Sequence, residues 1–492
     1  MNKPSLYEML KSLDKSGLIP MHMPGHKRSD DLSPELPYSM DVTEIHGFDD
    51  LHDVEEGGCI YSICRLAEEA YRIPPRNNCS LSAYPLVGGS TVGILAAVRA
   101  MAMQFRRSGI EPKILMARNC HKSVWHAVEI ARLSADYILP TLDESGIWSG
   151  ISAEQIDALM SADNSVKIVA ITSPTYEGVI SDIQKIGYVV HSHGGMLLVD
   201  AAHGAHLPFV NSSAPVFDGA DAVTVSLHKT LPALTGCALL LLPSDRLDSS
   251  LVARELNVLE TSSPSYILLA SIEHSLSLAT QERTRFSAYT EKLCEVRKKL
   301  SNLTHLKLYE TDGFDYDIGK LVLVIRNGIT FNGKELFGST LADLFRLEGI
   351  ELEMSSSKHV VAMTSAWDMA ASSCGFDSPN IDQFVSATIR IDKRLAFDES
   401  SCSNAAFSYT LPQSPLPAHT ALEKPTASVG LDLTLGKASA CYVWAYPPGI
   451  PLVAPGEIFD ESIIFTVKAY SNSGIPLKIQ PSCKDGFWII EE

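Results

Sequence analysis

The sequence predicts an α/β protein whose main sheet is largely parallel and covered by helices on both faces. From about residue 76 to 245, apolar runs of strand length alternate with helical stretches, which is the signature of strand–helix–strand units. The runs are continuously apolar and do not alternate with polar residues, as expected of strands buried on both sides. A second mixture of strands and helices after about residue 300 adds a smaller α+β C-terminal domain.

The elements follow in chain order. "MNKPSLYEMLKSLDKSG" reads as an amphipathic helix, not a secretory leader. Residues 1–75 are otherwise polar and loop-rich, and the stretch 22–58, with several His, Asp and Glu, is too irregular for a core helix. It is expected to lie across a site. Strand-length runs are "KILMAR" (113–118), "VKIVAITS" (166–173), "GMLLVDAA" (195–202), "DAVTVSL" (221–227) and "CALLLLP" (237–243). Helical stretches include "STVGILAAVRAMAMQF" (90–105) and "HKSVWHAVEIARL" (121–133). Residues 246–300 look mainly helical. Strands "KLVLVIR" and "HVVAMTS" then mix with helices around 334–349 and 380–395. A Ser/Pro-rich stretch, 400–428, reads as loop or linker, and "YVWAYPPGIPLVAPGE" (442–457) as strand and turn. The expected divisions are 1–75, a large domain at 76–300, a small domain at 301–400 and a C-terminal region at 401–492.

The totals exclude some classes. Lys and Arg number 40 against 58 Asp and Glu, a net charge of −18, which argues against nucleic acid as a partner. No apolar run reaches the roughly 18 residues needed to cross a bilayer. The ten cysteines form no C-x-x-C pair. They read as buried thiols in a reducing cytoplasm.

Four strand ends carry chemistry. "LVGGSTVG" (86–93) places glycines and hydroxyls before a helix, an anion site to which Ser90 and Thr91 add donors. His121 opens the helix of "ARNCHKSVWHA". It can be a general base, a ring stacked on a planar ligand, or a cap. Asp200 ends the apolar strand of "LLVDAAHGAH", and Lys229 follows Ser226 and His228 in "SLHKTLPALTG". A bare ammonium or carboxylate at such a strand end is costly unless something pairs with it. His191, His193, His203 and His206 invite a metal reading through H-x-H and H-x-x-H. That spacing does not set the pairs on one helix face, and a third ligand is lacking. No metal is expected, and His191 and His193 read as surface residues at a helix end.

One ligand explains the set. Pyridoxal phosphate has an aldehyde that takes a lysine amine, here Lys229. Its phosphate suits a helix N-terminus with hydroxyls, here "GGST", Ser226 and His228. Its ring nitrogen needs a carboxylate, here Asp200, and its flat ring a stacking partner, which His121 can be.

The motifs "HMPGHK" (22–27), "DVTEIHGFDDLHD" (41–53), "GGSTVG" (88–93), "NCHKSVWHA" (119–127), "SPTYEGVISDI" (173–183), "LVDAAHGAH" (198–206), "SLHKTLPALTG" (226–236), "TSSPSYILLASIE" (261–273) and "YPPGIPLVAPGE" (446–457) run through most of the chain. With them the sequence resembles the ornithine/lysine/arginine decarboxylases, pyridoxal-phosphate enzymes of the aspartate-aminotransferase fold (fold type I). The resemblance implies that Lys229 forms the imine, Asp200 pairs with the ring nitrogen and His121 stacks on the ring. It puts His203 near the phenolic oxygen and Ala202 under the ring. Ser90, Thr91, Ser226 and His228 hold the phosphate. It further implies a homodimer, or dimer of dimers, with active sites at the subunit interface. The form expected is the short one, without the N-terminal wing domain of larger relatives. The implied reaction releases carbon dioxide from a small cationic amino acid, with arginine the first choice and lysine or ornithine possible, in support of polyamine synthesis.

An aminotransferase or another lyase would share the cofactor residues and grip the α-carboxylate with an arginine, for which Arg390 and Arg394 are candidates by location. An inactive regulatory relative would lack Lys229 or Asp200, and both are present. The distal cation of the substrate needs an acid. Glu457, on its Pro/Gly-fixed turn, is the candidate, with Asp49 and Asp50 as competitors that can act from the partner subunit.

Overall fold

A computed structural model describes residues 4–16, 18–19, 21–29, 31–51, 53–72, 81–210, 217–370, 379–402, 409–445, 450–472, 477–483 and 486–491. The expected boundary at 75–76 and residues 446–449 of the tail motif lie outside them. In chain order the elements are α1 (Leu6–Asp14), α2 (Cys59–Tyr71), β1 (Ser82–Leu86), α3 (Gly89–Arg107), β2 (Lys113–Ala117), α4 (Lys122–Ile130), β3 (Ala135–Ile138), α5 (Ala153–Ala162), β4 (Val166–Thr172) and β5 (Val179–Ile180). They continue through α6 (Ile183–Ser192), β6 (Met196–Asp200), α7 (Leu207–Val210), β7 (Ala222–Ser226), α8 (Leu227–Thr230), β8 (Ala238–Leu242), α9 (Ser249–Leu259) and α10 (Tyr266–Gln281).

The chain forms two compact units, 1–111 with 183–286, and 112–182 with 287–492. In the first unit the strand order is β1-β8-β7-β6. β6 and β7 run parallel, and β8 is antiparallel to both β7 and β1. β1 lies at the sheet edge and contains Pro85, a residue that edge strands tolerate because it lacks an N–H. Ser5 and Glu8 close a reciprocal cap on α1, which buries Leu6 and Leu10. α3 buries a face of small residues, including Ala96, Ala97 and Ala100.

In the second unit β2 lies between β4 and β3, parallel to both. A four-stranded antiparallel sheet follows, with Lys320–Ile325 between Leu306–Leu308 and His359–Met363. Its helices Gly338–Leu347 and Asn380–Asp392 bring Phe345 and Phe384 into a stack at 5.4 Å. The C-terminal region has its own core of Cys441, Val443, Val453, Phe459 and Val467, around strands Tyr442–Ala445, Ile450–Val453 and Leu477–Gln480.

Three expectations are corrected. The segment before residue 75 is not all loop, because α2 spans thirteen residues and buries Ile60, Ile63 and Ala67. The stretch 400–428 holds the short helix Ala418–Ala421 and the start of strand Thr426–Val429. Among the described cysteines, Cys294 and Cys402 are exposed while Cys59, Cys120, Cys237 and Cys441 are buried. No helix among the described residues is long and apolar enough to cross a membrane.

Candidate active site

The first unit brings the strand ends of β6 and β7 side by side, with Asp200 opposite Thr224 in register. Asp200 is 3% exposed and accepts the Ala202 N–H at 3.1 Å. Burial pushes its carboxyl above the usual carboxylate range, against the pull of the Lys229 ammonium, the Ala202 N–H and the Thr224 hydroxyl. Among the described residues it has no ion pair within 4 Å. Lys229 sits on the short turn of α8 just past β7, with its Nζ 3.1 Å from Nε2 of buried His203. The neighbouring His228 donates its Nδ1–H to the Cys237 carbonyl at 3.0 Å. Burial and the Lys229 charge hold its imidazole below the usual histidine range. Its Nε2 can therefore donate to an anion only when the ring is protonated, a form that a nearby negative charge favours.

α3 begins at Gly89 with no side chain capping it. Its first turn leaves the N–H groups of Ser90 and Thr91 on the anion-binding end of a nineteen-residue helix. Ser226 Oγ donates to Ser90 Oγ at 3.1 Å, which joins the end of β7 to this turn. Gly89 has φ +75°, and a Cβ there would meet nothing closer than the Gly236 carbonyl at 4.0 Å. The cup over it is open.

His121 belongs to the second unit. Its Nδ1 caps α4, accepting the Ser123 N–H at 3.3 Å and lying 2.8 Å from the Ser123 hydroxyl. Of the three roles the sequence left open, the cap is observed. That arrangement places the ring proton on Nε2.

Glu457 belongs to the second unit. Its side chain is fully buried, and both carboxylate oxygens meet Arg118, at 2.5 and 2.9 Å. Oε2 also accepts the Ala454 N–H. Arg118 in turn donates from Nε to the Tyr409 hydroxyl and lies over the Trp125 and Tyr137 rings at 4.8 and 5.1 Å. A turn at the surface would leave the glutamate free for a substrate cation, whereas this one is neutralised in place. Asp49 belongs to the first unit. It is buried and caps α2, accepting the Cys59 and Ile60 N–H groups at 2.7 and 3.0 Å. Asp50 is half-buried and pairs its backbone with Asp53.

Two further histidine and arginine readings change. His191 is half-buried and lies 2.9 Å from fully buried Asp221, which also accepts the Leu197 N–H. Arg390 and Arg394 both reach Glu348, at 2.7 and 3.5 Å.

The chain matches the Orn/Lys/Arg decarboxylase major domain over residues 4–317 and the C-terminal domain of the same enzymes over 404–471. The protein belongs to the Orn/Lys/Arg decarboxylase family. It is similar to an arginine decarboxylase of Bacillus subtilis, 28% identical over 96% of this chain and 94% of the relative. The match to the constitutive lysine decarboxylase of Escherichia coli is 25% identical and covers 42% of this chain and 30% of the relative. The solved structure of the latter superposes with a TM-score of 0.77 at 16% identity, over 99% of this chain and 82% of that one. That likeness establishes the fold, which is fold type I.

A member of this family is a pyridoxal-phosphate-dependent decarboxylase, and the residues present fit that cofactor. A buried carboxylate with no ion pair is what a protonated ring nitrogen requires, and Asp200 is one. An uncapped helix end beside two hydroxyls is what a phosphate requires, and α3 with Ser90 and Ser226 provides it. The sequence reading passed over Arg118. The signal was available, because a strand that ends in a charged residue raises the same question at "LMAR" as at "SLHK".

Proposed function

We propose that the protein converts a basic L-amino acid, arginine first, to its amine and carbon dioxide, in support of polyamine synthesis. The preference for arginine rests on relatives named arginine decarboxylase that match nearly end to end, whereas those named lysine decarboxylase match over less than half of the chain. The observation that carries the chemistry is Asp200, buried without an ion pair in the same unit as the Lys229–His203 contact.

Bound pyridoxal phosphate supplies the electron sink for the pair left when the Cα–carboxylate bond breaks. Asp200 would hold the proton on its ring nitrogen, an electrostatic arrangement set before reaction. Lys229 would hold the aldehyde of the cofactor, and His203, beside its Nζ, can take or return a proton there. Lys229 or a nearby histidine then returns a proton to Cα. Ser90, Thr91, Ser226 and His228 hold the phosphate, His121 stacks on the ring and Ala202 packs beneath it. For the distal cation of the substrate the candidates stay Glu457, Asp49 and Asp50. A homodimer with shared active sites, a cytoplasmic setting and the divisions 1–75, 76–300, 301–400 and 401–492 complete the proposal.

The test is carbon dioxide release by purified protein from arginine, lysine and ornithine, with and without added cofactor. Arginine should exceed the other two by about tenfold in kcat/KM, or about 1.4 kcal/mol. Faster release from lysine or ornithine would overturn the substrate assignment. A keto acid product would overturn the reaction.

A further inference from the structure

The loop that leads into the phosphate-binding turn is held by a carboxylate. Glu260 is the residue after α9, 9% exposed. Its Oε1 accepts the backbone N–H groups of Val87 and Gly88, at 2.9 and 2.8 Å. The next amide, Gly89, donates to the Gly236 carbonyl at 2.9 Å. α9 is joined to α3 a second time, where Arg99 reaches the fully buried Glu255. The fit is close, because a Cβ on Gly88 would sit 3.0 Å from Glu260 Oε2 and 2.7 Å from the Val92 side chain.

A helix N-terminus offers several unpaired N–H groups, and an anion settles wherever the most of them converge. Glu260 and Gly236 occupy the three amides just before Ser90. The donors left for an anion are then those of the first turn itself, beside the Ser90, Thr91 and Ser226 hydroxyls. We infer that Glu260 is a positioning residue for the cofactor phosphate, acting through the 87–88 backbone and not by touching the phosphate. This rests on the phosphate assignment proposed above. A bare carboxylate near a phosphate would repel it. The function therefore lies in accepting two hydrogen bonds, and an amide oxygen can do that equally well.

The experiment titrates the full-length enzyme, stripped of cofactor, with pyridoxal 5′-phosphate and with pyridoxal, following visible absorbance. Glu260→Ala should weaken binding of the phosphorylated form by about tenfold and leave pyridoxal within about twofold of wild type. Glu260→Gln should restore the phosphorylated form to within about threefold, which a loss of packing alone would not predict. Equal losses for both compounds, or no loss, would overturn the inference. If Glu260→Ala does not fold, Glu260→Met decides, since it keeps the bulk of the side chain and lacks the acceptor that Val87 and Gly88 donate to. It must show the same phosphate-specific loss. Thr91→Ala in the same titration separates the two claims. If it spares phosphate binding, the assignment of the cup fails. If it weakens phosphate binding while Glu260→Ala does not, only the role of Glu260 fails.

Discussion

Asp200 and Glu457 are both buried carboxylates close to the end of a strand, and the chain treats them in opposite ways. Glu457 meets a guanidinium with both oxygens, and the aromatic rings of Trp125 and Tyr137 cover the pair. Asp200 has one backbone N–H at 3.1 Å and no ion pair among the described residues. Burial alone therefore does not mark a functional acid in this protein. The informative quantity is charge left unmatched, since a buried carboxylate is expensive until a cation arrives. In the first unit the proposed cation is the cofactor's ring nitrogen, whereas in the second the cation is already part of the fold.

The largest effect should come from Lys229, in the same unit as Asp200. Lys229→Ala should abolish the visible absorption of the cofactor–lysine linkage and lower turnover by about four orders of magnitude, or about 5.4 kcal/mol. Spectrophotometry and carbon dioxide release read the two effects separately. A variant that keeps both would remove the site from the first unit and end the comparison.

Glu457 is next. In Glu457→Gln the buried Arg118 loses its counter-charge, and the expected cost is about 3–5 kcal/mol of stability. Urea unfolding would show it as a lowered midpoint. Replacing both partners, Arg118→Met with Glu457→Met, should recover most of the loss, because no charge is then left buried alone. KM for the amino acid in the surviving Glu457→Gln holoenzyme should move by less than about threefold. A large rise in KM with unchanged stability would return Glu457 to the substrate site.

The two acids also differ in how far the sequence reveals them. Asp200 was legible because its evidence is local: an apolar strand that ends in a carboxylate, and a lysine with the same placement twenty-nine positions on. The strands themselves were legible for the same reason, as continuous apolar runs within two residues of β2, β4, β6, β7 and β8. The partner of Glu457 is 339 positions away, and no spacing rule reaches that far. Asp49 is harder to read for a related reason. It caps a helix that starts ten residues later, just beyond the irregular stretch, in a segment read as loop-rich. β1 was missed because Pro85 counts against a strand until its edge position is known.

The third test asks whether the unmatched charge of Asp200 is measurable, and it predicts a change of sign. Asp200→Asn should keep the fold and some cofactor binding while lowering turnover by about a hundredfold, or about 2.7 kcal/mol, because an amide cannot balance a protonated ring. Stability should respond differently with and without cofactor. In the cofactor-free enzyme the Asp200 carboxyl is held above its ordinary value, chiefly by burial. A group whose folded pKa is raised lends stability below its unfolded pKa and loses it as pH climbs through the folded one. The asparagine carries no such dependence. Without cofactor, Asp200→Asn should therefore melt higher than wild type at about pH 8, and the gap should shrink toward about pH 5. With cofactor bound, the carboxylate has its cation, and wild type should melt higher at both values. Thermal melts of the two proteins in both states give four curves. If Asp200→Asn is the less stable protein without cofactor at every pH, the carboxylate is already satisfied by the fold, and the contrast with Glu457 fails.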